Sequence, residues 1–170
     1  MVETSLISSA ELFSALDEQY LEPIAAASEL RELRRGDVLF LEGDDPDRLY
    51  IVTSGRIAIS TRSQDGRESV FALMEESDLF GEMGLFGPRS RSASARALEP
   101  SSVVTVPYGP VRQLYDDHPQ LLWRVVDMLV GRLRSTNAAL EDSVFLDVTG
   151  RTAKRLLELA GDDDTFELPI

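Results

Sequence analysis

The chain has 170 residues, with 30 acidic against 17 basic side chains and a formal net charge of −13, enough length for one well-buried domain and an appendage. It contains no cysteine and a single histidine, His118, which excludes disulfides, thiolate metal sites and iron–sulfur clusters and leaves no histidine set for a metal. The acidic balance excludes nucleic-acid binding through the average surface, and no apolar run is long enough for a signal peptide or a membrane span, so a soluble cytoplasmic protein is expected.

Residues 8–27 read as helical. Ser8 or Ser9 is placed to cap, Glu11 suits a capping box, and Leu12, Leu16, Tyr20 and Ile24 recur at helical spacing. Pro23 predicts a break near Glu22, hence two short helices. From 29 to 107 the texture changes to short Val/Ile/Leu-rich runs at Val38–Leu41, Leu49–Val52, Ile57–Thr61, Ser69–Met74, Ala93–Leu98 and Val103–Val106. Gly36-Asp37, Glu42-Gly43-Asp44-Asp45-Pro46, Ser54-Gly55, Asp65-Gly66 and Glu99-Pro100 punctuate them. That regularity predicts an antiparallel β-sandwich or barrel, with a hairpin turn at Asp65-Gly66.

Residues 108–117 predict a short helix. A long one then starts at Pro119, capped by His118 or Asp117, and runs to about Leu146. Leu122, Val126, Leu129, Leu133, Thr136 and Leu140 are spaced 4-3-4-3-4, the heptad seam of a two-stranded coiled coil. A last helix is expected over 148–160, followed by the acidic run 162–164, read as a solvated loop.

The segment Phe80–Ala97 carries the chemistry. Gly81 leads a short helix whose first backbone N–H groups are free, Glu82 follows, and Arg91 is presented by a loop before small residues. Backbone amides and a guanidinium favour a phosphate, and a carboxylate can accept hydrogen bonds from ribose hydroxyls. In so acidic a chain, an anionic ligand must be held by local positive groups, which singles out Arg91.

The order G-E-M-G-L-F…R-S-A…R-A resembles the phosphate-binding cassette of cyclic-nucleotide-binding domains. The β-region punctuation is similar to the β-roll of the bacterial catabolite activator (CRP/FNR) family. Arg132-Leu133-Arg134-Ser135-Thr136-Asn137 and Phe145-Leu146-Asp147-Val148-Thr149-Gly150-Arg151 resemble that family's long dimer helix and hinge. The resemblance implies an α+β fold: an antiparallel β-roll (a double-stranded β-helix) with N-terminal helices and a long C-terminal dimerisation helix. It implies a sensing roll over 1–117, the dimer helix over 118–146, and a hinge over 147–170 leading to a helix-turn-helix domain. The sequence stops at Ile170, where that domain would begin, so a shortened chain is expected, with a sensor-only protein as the alternative.

The resemblance also assigns roles. Glu82 would bind the ribose 2′-hydroxyl and Arg91 the cyclic phosphate, with Gly81, Met83, Ser92 and Ala93 completing the cassette. Arg89, also followed by serine, is a rival for Arg91. Ile59, Phe71 and Ala72 would form an apolar wall against sugar and base. Thr136 would meet the adenine amino group, Asn137 would act from the partner subunit, and Arg132 would link ligand to dimer helix. The implied effector is cAMP, with no metal. The implied partners are a second copy through the seam and DNA through the helix-turn-helix domain alone.

Blander readings stand beside these: Arg91 as a surface ion pair, and Thr136 as a register-setting seam residue. Phe40, Phe71, Phe80 and Phe86 read as core, and Trp123 as packed against the roll or a partner helix. Other effectors (cGMP, a cyclic dinucleotide, another metabolite) and a ligand-independent dimerisation module remain alternatives. A metal-dependent barrel enzyme is discarded, since one histidine cannot supply its ligands.

Overall fold

The structure, a computed structural model, describes residues 2–154 apart from 64, 88, 89, 146 and 151, and the side chains of all but 139 and 143 among these. The chain divides into two compact units, Met1–Val125 and Val126–Ile170.

The first unit opens with α1 (Thr4–Ser8) and α2 (Glu18–Ala27), then runs β1 (Glu29–Leu33), β2 (Val38–Phe40), β3 (Arg48–Ser54), β4 (Ile57–Arg62) and β5 (Glu68–Met74). After β6 (Leu79–Phe80) come α3 (Met83–Phe86), β7 (Ser94–Ala97), β8 (Ser101–Pro107) and α4 (Tyr108–Asp117). The strands form two four-stranded sheets of order β1-β8-β3-β6 and β2-β7-β4-β5, with every pairing antiparallel. This is the expected roll, and the long helix follows it.

Alternation along β3 and β8 explains why both are buried on two faces. Tyr50, Val52 and Val103 point into the roll, where they pack with Leu33, Ile57, Ile59, Phe80 and the small side chains of Ala93, Ala95 and Ala97. Leu49, Ile51, Val104 and Val106 occupy the other face and are fully buried. There α2 contacts β8 and α4, and α1 contacts β3. Each such aliphatic side chain contributes about 1.5–3 kcal/mol. The hairpin expected at Asp65-Gly66 is present: β4 pairs β5, and the Gly66 N–H donates to the Ser63 carbonyl at 2.9 Å.

The N-terminal helices differ from expectation. The break falls at residues 9–17, where Ala10, Leu12 and Phe13 are buried and the chain turns with Phe13 N–H bonded to the Ala10 carbonyl and Leu16 N–H to the Phe13 carbonyl. Ser8 and Ser9 bond back to the Ser5 and Leu6 carbonyls at the end of α1 and cap nothing ahead of them. Pro23 sits inside α2 without ending it, on its exposed side, at the cost of one backbone bond.

Two strands, β1 and β6, go beyond the predicted six. The cap reading of His118 also fails. Its side chain makes no capping bond; its ring meets Tyr20 edge-on, with centroids 4.7 Å apart. Asp117 instead accepts from Gln113. The chain passes through one 3-10 turn, Pro119–Leu121, into α5 (Leu122–Phe145), close to the expected span. Residues 148–150 and 152–154 are helical, and the rest of the expected last helix lies outside the described residues. Phe80 is core, whereas Phe71 and Phe86 are 61% and 44% exposed, against the core reading. Trp123, 71% exposed in the single chain, is not packed against the roll, and its packing against a partner helix is a matter for two copies. No helix among the described residues is long and apolar enough to cross a membrane.

Candidate functional site

The cassette sits where β6, α3 and the strand β7 meet the loop between β2 and β3. At the end of β6, Gly81 adopts φ +82, a left-handed conformation that glycine takes without strain. It also makes room: a Cβ there would stand 2.7 Å from Arg91 Nη1. Glu82 follows and is 4% exposed. α3 is a single turn of four residues, so little macrodipole builds up at its start and the charge of the site rests on Arg91.

Arg91 is held from both sides of its backbone. Its N–H donates to the Asp44 carbonyl at 2.8 Å, and its carbonyl accepts from the Gly43 N–H at 2.9 Å. The Asp44 carboxylate braces that loop by accepting from Leu41 N–H at 2.8 Å. The side chain runs inward and is 5% exposed. Nη1 donates to the Gly81 carbonyl (3.1 Å) and the Tyr108 hydroxyl (3.2 Å), and Nη2 to the Arg48 carbonyl (2.7 Å). The guanidinium lies 4.1 Å from the Phe40 ring centroid and 5.6 Å from that of Tyr50. Tyr50 in turn stacks on Phe80, with centroids 5.1 Å apart.

Two features set this arginine apart from a structural one. No carboxylate among the described residues lies within ion-pair distance of it. Its Nε is buried with no hydrogen-bond partner. The surface ion-pair reading is therefore ruled out by burial and by the missing partner. Burial raises the pKa of both Tyr50 and Tyr108, so each phenol stays protonated through neutral pH. Beside the site, the Arg48 side chain pairs with Asp47 and, through that hydrogen bond first, holds the Asp47 carboxyl below its usual value.

The other sequence-predicted residues fall into three groups. Ala93 is buried where the chain enters β7, while Met83 and Ser92 are exposed, the Ser92 hydroxyl 3.5 Å from the Met83 sulfur. Ile59 and Ala72 are directly paired across β4 and β5 and turn into the roll. Phe71 points to the opposite face of β5 and is not brought to that wall. Arg132, Thr136 and Asn137 belong to the second unit. There Thr136 Oγ1 donates to the Arg132 carbonyl at 2.9 Å, and Asn137 is exposed. Arg89 lies outside the described residues.

Sequence reasoning missed Tyr108, Tyr50, the stacking of Phe40 on the guanidinium, and the carbonyls of Asp44 and Arg48. Glu42–Pro46 was legible only as a turn; nothing in its composition says that it grips Arg91.

The sequence profile described as Cyclic nucleotide-binding domain matches residues 30–118. Over 147 residues the chain is 40% identical to the CRP-like cAMP-activated global transcriptional regulator of Mycobacterium tuberculosis, a match covering 84% of this chain and 66% of that protein. The chain thus spans just under two thirds of that curated relative. Among solved structures, the catabolite activator protein of Thermus thermophilus superposes with a TM-score of 0.67 at 29% identity, over 88% of this chain and 70% of that one. The c-di-GMP responsive global regulator CLP of Xanthomonas campestris superposes with a TM-score of 0.71 at 28% identity, over 90% and 77% of the two chains.

Proposed function

The chain belongs to the cyclic nucleotide-binding domain family, and from that premise we propose that it is the sensing and dimerisation part of a cAMP-responsive transcriptional regulator. The observation that carries the reading is Arg91: a guanidinium 5% exposed, without a carboxylate partner among the described residues and with an orphaned Nε. A buried charge of that kind costs several kcal/mol unless a counter-charge meets it. A cyclic phosphate supplies that charge together with acceptors for the unmet donor. Glu82, next to Gly81 and buried, takes the ribose 2′-hydroxyl, with Gly81, Met83, Ser92 and Ala93 around the sugar phosphate. Ile59 and Ala72 form the apolar side, with Phe71 as its outer neighbour.

Adenine is favoured by the chemistry of Thr136. Its one hydroxyl proton is already given to the Arg132 carbonyl, so it offers lone pairs to a ligand. Lone pairs suit the exocyclic amino group of adenine and oppose the O6 acceptor of guanine. Asn137 acts from the partner subunit and Arg132 connects ligand to helix.

Pairing of two copies runs through Leu122, Val126, Leu129, Leu133, Thr136 and Leu140. Of these, Leu133 and Leu140 are 60% and 63% exposed in the single chain. Ligand binding has different affinity for two arrangements of that helix and so shifts their populations. DNA is contacted by a helix-turn-helix domain outside this sequence, the regulator works in the cytoplasm, and the chain has no catalytic role. A second reading, a cyclic dinucleotide effector, draws on the likeness to the CLP regulator.

Calorimetric titration with cAMP, cGMP and cyclic di-GMP tests this. The expected result is saturable cAMP binding, one per chain, with cGMP at least about tenfold weaker, the value of roughly one hydrogen bond. Tighter cGMP overturns the role of Thr136, cyclic di-GMP alone establishes the second reading, and no binding of any of them overturns the sensor assignment.

A further inference from the structure

The residue that closes the cassette is not in the cassette. Tyr108 opens α4, 17 positions beyond Arg91 in sequence, and is 4% exposed. Its hydroxyl has one proton and two lone pairs, and all its observed bonds go to the site. It donates to the Gly81 carbonyl and accepts from Arg91 Nη1. Arg91 Nη1 also donates to that same carbonyl, so the three groups form a closed triangle. The hydroxyl packs directly on α3 as well: a Cβ added at Gly84 would stand 2.7 Å from it. One turn holds both partners, since the Tyr108 N–H bonds the Asp47 carbonyl at 3.0 Å and Arg91 Nη2 bonds the carbonyl of Arg48.

We propose that Tyr108 is a positioning residue for the phosphate arginine: its hydroxyl fixes the guanidinium by Nη1, leaves Nε as the unmet donor, and ties that geometry to the first turn of α4. The proposal rests on the cyclic-nucleotide reading above. A guanidinium on a flexible stem adopts many orientations, and its fixed fork gives strong phosphate recognition only when its plane is held. The aromatic face of Phe40 sets the plane, and the Tyr108 hydroxyl sets the rotation within it. Because Tyr108 is the first residue of α4, a ligand that redraws the triangle acts on that helix directly.

Tyr108→Phe removes the oxygen and keeps the ring. Two measurements on the full chain decide the matter. In the unliganded protein, nitrogen-15 NMR of arginine side chains reads Arg91 Nη rotation. Distinct, slowly rotating Arg91 signals are expected in the wild type, and averaged ones in Tyr108→Phe. Unchanged signals overturn the proposal, and this arm stands even if no cyclic nucleotide binds and the sensor reading falls.

In the second arm, cAMP is titrated into wild type, Tyr108→Phe, Arg91→Lys and the double variant. Loss of the hydroxyl is expected to weaken binding by about 5–10-fold, the value of roughly one ordinary hydrogen bond, because it acts on the ligand only through the arginine. In the Arg91→Lys background the same change is expected to cost less than about twofold, because the hydroxyl acts through the arginine. Equal, additive losses in both backgrounds would assign Tyr108 to packing and overturn the proposal. If Arg91→Lys binds too weakly to titrate, the NMR arm decides.

Discussion

Arg91 carries its charge inside the protein and meets carbonyls and rings there, but no acid among the described residues. That choice separates it from Arg48, Arg56, Arg67 and Arg96, each of which faces a carboxylate. The space around it is made by small residues. Gly84, in the α3 turn, would place a Cβ 2.5 Å from the Pro46 Cβ and 2.7 Å from the Tyr108 hydroxyl. Gly84→Ala must therefore push the cassette off the Pro46 loop or displace Tyr108. The expected cost is about 1–3 kcal/mol, read as a melting temperature several degrees lower, with weaker cAMP binding alongside. An unchanged melting curve would show that α3 moves freely against that loop. The same site shows what single-residue reading can reach. Gly81, Glu82 and Arg91 were legible because a short motif carries them. Tyr108 and Arg48 were not, because their bonds to the cassette close over 27 and 43 positions.

Among the elements, the strands that could be read in advance are those with apolar runs between Gly, Asp and Pro. β4 and β8 are of this kind, and so is the hairpin between β4 and β5. β1 gave no such signal: in Glu29-Leu30-Arg31-Glu32-Leu33 only Leu33 is buried, and the strand exists because it pairs along β8. β6 has two residues, too few for any periodicity. The early break at 9–17 is a tertiary effect, since burial of Ala10, Leu12 and Phe13 outweighs the helical spacing around them. α5 was legible from its heptad, and its exposed leucines make a direct prediction. Leu133→Glu places a charge in the seam, where each buried leucine is worth about 1.5–3 kcal/mol. Sedimentation is expected to show a dimer for the wild type and a monomer for the variant at micromolar concentration. A wild-type monomer would contradict the seam assignment, and a variant that stays dimeric would move the interface elsewhere.

On the scale of the whole molecule, a net charge of −13 works against an anionic ligand until it reaches Arg91. Long-range repulsion is screened by salt, while the buried contact is screened far less. The cAMP association rate is therefore expected to rise severalfold between about 10 and 150 mM salt, measured by stopped flow; a fall would mean that an exposed basic patch recruits the ligand. Stability has its own pH signature. Burial holds the Tyr115 phenol up at about 12 and raises Tyr50 and Tyr108 as well, so the folded state keeps these protons longer than the unfolded chain does. That contribution is complete below the ordinary phenol value near 10 and is lost as pH climbs from there through about 12. Melting temperatures should stay flat on this account up to pH of about 9.5 and fall above it. The claim on which the rest depends is that the buried charge of Arg91 is completed by a cyclic phosphate. Calorimetric titration of cAMP into the wild type and into folded Arg91→Ala tests it most directly. The account predicts saturable binding in the first and a loss on the order of 100-fold or more in the second, the value of its charge-assisted bonds. Equal affinities in the two would contradict it.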